Sequence, residues 1–431
     1  MKHIAIKDCK AHIGEEIALR GWVRNTRSSG KLIFIILRDG TAEIQAIAFK
    51  PSLGEEKFAV IKSLTMESSV IVTGIPQEHP KKPDVFELDI NEIEIVQVAE
   101  EYPITKKEHG VDFLLSNRHL WLRSRKQWAV LRIRHTVYTG IQEYLHKEGF
   151  IRFDSPIFTP SACEGTTTLF EVPYFDLGNA YLSQSGQLYL EAGIMSLGRV
   201  YDFGPVFRAE KSKTRKHLTE FWMMDAEAAF VEHEENMRIQ ESLIRYVICK
   251  ALTENQIELE ILERDTGKLA KMDAPFPIIT YEEAIEQLQN KGSDIRYGDD
   301  FGAREEEMLT EGSAVPVFIE KWPKEIKAFY MKRDPEDDDL VLGSDLISTE
   351  GFGEIIGGSQ REDDYDILLG RIKAQNLPVE ENQWYLDLRK YGSVPHSGFG
   401  IGLERTVAWI SGVQHIRETI PFPRMIYRIQ P

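Results

Sequence analysis

The stretch Gly398-Phe399-Gly400-Ile401-Gly402-Leu403-Glu404-Arg405 puts glycine at three alternate positions and leads into the apolar run Thr406 to Ile410. Bare backbone can lie directly against a ligand, and the run that follows has the composition of a helix carrying Arg405 in its first turn. An arginine beside accessible backbone suits a phosphate. Neither common nucleotide fingerprint is present: a G-x-G-x-x-G would need glycine where Leu403 stands, and no G-x-x-x-x-G-K-[ST] occurs.

Ahead of this stretch the text changes period. Ile17 to Arg24, Leu32 to Leu37, Ile44 to Phe49, Val70 to Gly74 and Phe86 to Val96 are rich in β-branched and apolar residues, and Asp39-Gly40 is a hairpin signal between the second and third. Five short strands predict a small closed barrel, and the OB-fold is the five-stranded barrel that grips single-stranded nucleic acid. Arg20, Arg24, Arg27, Lys31 and Arg38 cluster on its first strands, with Trp22 and Phe34 interleaved as stacking platforms. The whole chain carries a net charge of -17, which excludes a protein coated for nonspecific nucleic-acid binding, yet residues 1–50 hold nine Lys/Arg against five Asp/Glu.

Val130, Ile133, Val137, Ile141, Tyr144 and Leu145 recur at helical spacing and predict an amphipathic helix ended by Gly149. Ile151 to Pro156 then reads as an edge strand, and the pair suits a subunit interface. Between residues 181 and 230, strands alternate with turns, and the loop Glu210 to His217 is rich in basic residues, as an anion contact would be. Residues 235–330 read as helices and loops with little chemistry. Farther on, Asp345 and Glu354 are carboxylates placed to ligate a hard cation such as Mg2+. No H-E-x-x-H or G-x-S-x-G occurs, and Cys9, Cys163 and Cys249 are too scattered for a disulfide framework or thiolate zinc site. With no secretory h-region and no long apolar span, the expected setting is cytoplasmic, away from membranes.

Together, Pro156 behind a long helix, Phe207-Arg208-Ala209-Glu210 with its basic loop to Phe221, and Gly400 to Arg405 resemble motifs 1, 2 and 3 of the class II aminoacyl-tRNA synthetases. The N-terminal barrel resembles the anticodon-binding domain of the aspartyl, asparaginyl and lysyl subgroup. Tyr181 to Glu191, Phe207 to Trp222, Glu354 to Arg361 and Gly392 to Pro423 look most like the bacterial asparaginyl branch. The resemblance implies an α+β fold: an OB-fold barrel at residues 1–98, a hinge at 99–123, and a class II catalytic domain at 124–431. That domain is built on an antiparallel six-stranded sheet flanked by helices, in a homodimer with motif 1 at the interface.

The activity implied is ATP-dependent attachment of L-asparagine to tRNA(Asn) through an adenylate. The rival readings are an aspartyl enzyme, discriminating or not, and a paralogue that makes asparagine or only binds tRNA. By the same resemblance, Arg208 holds the α-phosphate of ATP and Arg405 the γ-phosphate, these two being the catalytic residues. Phe221 and Arg405 sandwich adenine over a floor that includes Gly402, His217 reaches the terminal phosphates, and Glu210 helps hold ATP or the acceptor end. Glu354 with Asp345 binds Mg2+. Glu164, Gln187 and Asp225 hold the amino acid, and Arg361 meets its side-chain oxygen. Asp225 stands where asparaginyl relatives more often carry glutamate. Leu190 stands where aspartyl relatives commonly carry lysine, and one cation fewer suits a neutral amide, because an uncompensated buried charge is costly. Phe34 and Gln45 match positions that stack on and read the central anticodon base, with Arg24 beside them.

Overall fold

The computed structural model describes residues 2–431 apart from 83, 84, 161–168 and 213. It divides into two compact units, Met1–Leu114 and Leu115–Pro431.

The smaller unit is a closed barrel of β1 (Ile17–Ser29), β2 (Leu32–Arg38), β3 (Glu43–Phe49), β4 (Ser69–Glu78) and β5 (Phe86–Gln97), in the order β1-β2-β3-β5-β4. All neighbours are antiparallel except β3 and β5. Alternation decides what fills it: Ile33, Ile35 and Leu37 of β2 point inward with Ile44, Ala46 and Ala48 of β3. The helix Glu55–Lys62 adds Phe58 and Ile61 to this core. Each such aliphatic side chain contributes about 1.5–3 kcal/mol over its exposed state. Phe34 and Gln45 fall on the opposite parity and stay partly exposed on the outer surface.

The larger unit contains β6 (Ile151–Arg152), β7 (Phe158–Thr159), β8 (Glu171–Pro173), β9 (Asn179–Leu182), β10 (Arg199–Phe207), β11 (Glu220–Ala229), β12 (Ile278–Thr280), β13 (Val317–Pro323), β14 (Leu340–Ser348), β15 (Gly353–Gln360) and β16 (His396–Gly402). Eight of them form one sheet, β12-β13-β14-β15-β16-β11-β10-β6, and β7-β9-β8 form a small second one. The six central strands, β13 to β10, are antiparallel as expected, and a short strand is added in parallel at each edge.

One face of the large sheet is apolar because the six central strands contribute alternate residues to it. Phe399, Ile401, Met224, Ala226, Leu346 and Ile356 pack there against the helices Arg125–Lys147 and His233–Glu254, through Val130, Ile133, Val137, Leu243, Ile244 and Val247. Ser124 caps the first helix by accepting from Gln127 N, and Gly149, at φ +81°, turns the chain beyond its end. The other face is mixed: Asp225, Gly400, Gly357 and Asp345 leave a polar strip in its middle, while Ile319 of β13 and Val341 of β14 join a second apolar core with Tyr281, Leu288 and Leu368.

Candidate active site

The strand register lines five residues up as one rung along the polar strip: Asp202 opposes Asp225, Asp225 opposes Gly400, Gly400 opposes Gly357, and Gly357 opposes Asp345. Acids sit at the ends and glycines in the middle. A β-carbon on Gly400 would come within 2.7 Å of Asp225 Oδ1, and one on Gly398 within 2.0 Å of Glu227 Oε1. The glycines therefore leave a bare floor that the flanking carboxylates lean over. A cavity of about 520 Å³ lies on this floor, lined by Gln187, Arg208, Asp225, Lys327, Glu354 and Arg361 among others. A smaller lobe of about 110 Å³ adjoins it, and Arg208, Met223, Glu354 and Gly400 line both.

The smaller lobe gathers Glu210, His217, Phe221, Gly402 and Arg405. Arg208 leaves the end of β10, where its backbone N–H donates to Thr219 O across the mouth of the loop, and its guanidinium lies 5.4 Å over the Phe221 ring. Its Nε is buried and has no hydrogen-bond partner among the described residues, which is costly unless a ligand supplies an acceptor. Arg405, in the first turn of the helix Leu403–Ser411, donates to Glu354 O at 2.5 Å. The neighbouring Glu404 is buried, accepts from Trp222 N at 2.9 Å and meets Arg134 at 2.7 Å, so β11 and the long helix fix how Arg405 is presented. Burial holds the His217 imidazole below its ordinary value against the opposing effect of Glu210, and Arg405, Arg208 and Lys216 add to the depression.

At the other end, Asp225 accepts from Ser185 Oγ and Gly186 N, both at 3.0 Å, and so offers a fixed carboxylate to a cation. Gln187 donates to Glu191 at 3.1 Å. Arg361 is buried in a two-pronged pair with Glu227, donating from Nε at 3.0 Å and Nη2 at 2.5 Å, while its Nη1 donates to Ser359. Glu191 is held by Arg389 at 2.7 Å, His396 at 3.0 Å and Tyr385 at 2.8 Å. Leu190 is buried with Ile194 and Val200, and Val200 is the register partner of Glu227, so that position brings no cation to this end.

Asp202 and Asp225 face each other across β10 and β11. Burial pushes the Asp202 carboxyl up to about 8, and Asp225 beside it adds repulsion. In the unfolded chain an aspartate titrates near ~4, so the folded state holds an extra proton between the two values and stability falls as pH rises across that window. Asp202→Asn therefore raises the melting temperature at pH 8 by about 5 °C, a gap that closes toward pH 4. Calorimetry across this range checks it; a gap that does not vary with pH rules it out.

Asp345 and Glu354 flank Gly357, whose added β-carbon would stand 3.8 Å from Asp345 Oδ1 and 3.0 Å from Glu354 Oε1. No cluster of three or more His, Cys, Asp or Glu fit for a metal occurs among the described residues. Two carboxylates beside a phosphate-sized space fit an ion that takes its other ligands from phosphate and water, as Mg2+ does. The sequence reading missed Lys327, Asp300, Glu306 and Glu227. The first two line the cavity, Glu306 pairs with Lys216 at 3.5 Å, and Glu227 pairs with Arg361. Glu164 lies outside the described residues.

On the barrel, Arg27 lies 5.1 Å over Phe34 and Arg38 lies 5.0 Å over Trp22. Arg24 pairs with Glu43, and Gln45 donates to Glu87. Among the described residues no helix is long and apolar enough to cross a membrane.

Residues 110–426 match the family model described as tRNA synthetases class II (D, K and N), and residues 17–96 match the OB-fold nucleic acid binding domain. The chain is 53% identical over 431 residues to the asparagine--tRNA ligase of Pelotomaculum thermopropionicum, covering 100% of both. It is similar in structure to the asparaginyl-tRNA synthetase of Pyrococcus horikoshii complexed with asparaginyl-adenylate, with a TM-score of 0.96, 44% identity and 100% of each chain covered. A putative aspartyl-tRNA synthetase of Leishmania major is more distant, with a TM-score of 0.86 and 25% identity over 100% of this chain and 95% of the other.

Proposed function

The chain belongs to the class II tRNA synthetases of the aspartate, lysine and asparagine group, and from that premise we infer that it is an asparagine--tRNA ligase, joining asparagine to tRNA through an asparaginyl-adenylate. The first step is an in-line attack of the substrate carboxylate on the α-phosphate of ATP, with loss of pyrophosphate. Such a step needs positioning and charge neutralisation more than covalent help from the protein. Arg208 meets the α-phosphate, and its unpartnered Nε supports this. Arg405 takes the γ-phosphate and covers adenine opposite Phe221, with His217 and Glu210 at the rim and Gly402 in the floor. Asp345 and Glu354 would hold the Mg2+ that accompanies ATP, where it would neutralise charge on the phosphates. In the second step the 3'-hydroxyl of the terminal ribose attacks the adenylate carbonyl and AMP leaves.

Specificity rests on the Arg361–Glu227 pair, the observation that carries this reading. A carboxamide offers one acceptor and two donors, and the pair offers a donor beside an acceptor. Its charges cancel, as do those of Arg389 and Glu191 behind it, so the extra charge of aspartate finds nothing left over. Asp225 and Gln187, together with Glu164, hold the α-ammonium. Phe34, Gln45 and Arg24 face the anticodon of tRNA(Asn). The strand Ile151–Arg152, exposed at the edge of the large sheet, supports a homodimer through the motif 1 region. Scattered cysteines fit a cytoplasmic setting.

Purified protein catalyses ATP–pyrophosphate exchange with asparagine at least about 100-fold faster than with aspartate at equal concentration. Exchange with aspartate and none with asparagine overturns the reading.

A further inference from the structure

Among the described residues that line the cavity, Lys327 is a cation to which the roles above give no task. Lys327 follows β13, and Arg371 and Gln375 donate to its carbonyl at 3.4 Å and 3.3 Å, which fixes the backbone from which its side chain enters the cavity. The ammonium ends 2.6 Å from Asp345 Oδ2 and 3.7 Å from the centroid of the Trp322 ring. Trp322 is buried and anchored by its own Nε1–H to Ile319 O at 3.1 Å, so the lysine is held between a fixed aromatic face and a carboxylate. Asp345 is the same carboxylate assigned above to the metal, with Glu354 across Gly357. An ammonium and a divalent cation repel each other and compete for one oxygen pair, and in a partly desolvated cavity that repulsion is little screened.

We propose that Lys327 is the resident counter-ion of Asp345 and makes divalent-cation binding at Asp345 and Glu354 conditional on nucleotide. Without ATP the lysine satisfies Asp345, and a second, doubly charged cation is disfavoured there. When the polyphosphate arrives, its negative charge outweighs the lysine, and the cation is accepted as part of the ATP complex. The inference rests on assigning Asp345 and Glu354 to the cation, and the experiment separates the two.

Mn2+ serves as the probe, with free ion measured by electron paramagnetic resonance in the presence of full-length protein, with and without a non-hydrolysable ATP analogue. The wild type binds Mn2+ at this site only with the analogue; equal affinity without it overturns the proposal and requires no variant. Lys327→Met tightens nucleotide-free Mn2+ binding by about tenfold or more, and adding Asp345→Asn abolishes the gain. Unchanged nucleotide-free affinity in a Lys327→Met protein that still melts cooperatively overturns the role of Lys327. Asp345→Asn alone loses Mn2+ from the analogue complex; if it does not, the metal assignment fails and the Lys327 proposal fails with it.

Discussion

Arg208→Ala lowers asparagine-dependent ATP–pyrophosphate exchange by about 10³-fold in kcat, with little change in the KM for asparagine. The guanidinium stands where charge develops during attack on the α-phosphate, and its Nε is buried without a partner among the described residues. Such a donor strengthens its interaction as charge grows, so its loss appears in kcat. Arg208→Lys recovers little, because an ammonium does not reproduce a planar fork stacked on Phe221. Steady-state exchange kinetics check both variants. A fall of less than tenfold for Arg208→Ala removes Arg208 from the reacting phosphate.

Glu227→Gln changes the choice of substrate. The glutamine still fills the space beside Arg361 but carries no charge, so the guanidinium is left with an unbalanced positive charge deep in the pocket. Aspartate then supplies what the protein has lost, and the preference for asparagine falls by about 100-fold, the equivalent of about 2.7 kcal/mol. Competition in the exchange assay measures it, and an unchanged ratio would falsify the assignment. Wild-type pH dependence follows from the same residue. Burial pushes the Glu227 carboxyl up to about 7 against the pull of Arg361, with Glu191 adding to the push. Below that value the group takes a proton and ceases to be a charged acceptor, so the preference for asparagine rises with pH through about 7, whereas Glu227→Gln shows a flat ratio.

These two residues also mark how far the sequence could be read. The alternation at Gly398 to Gly402 and along the barrel strands is local, because side-chain parity is a property of one strand, and it led to the bare floor and the barrel core. Glu227 and Arg361 are 134 residues apart, and their pairing depends on where β11, β16 and β15 lie side by side. Nothing near either residue announces it. Lys327 was hidden for the same reason: residues 235–330 read as helices and loops, whereas β12 and β13 form there, and only the pairing of β13 with β14 brings Lys327 to Asp345. The parallel edge strand β12, with three residues, is too short to show a period of two, so the sheet came out wider than the expected six strands.

The rung of bare glycines bears on how this protein could evade an inhibitor. Resistance often arises when a side chain grows into the space a drug fills, but a β-carbon at Gly400 meets Asp225 Oδ1 at 2.7 Å, and that carboxylate is held by Ser185 and Gly186. Growth there displaces the carboxylate proposed to hold the amino acid. A compound whose contacts are confined to that strip of backbone closes the simplest mutational escape, because the change that excludes the drug also excludes the substrate.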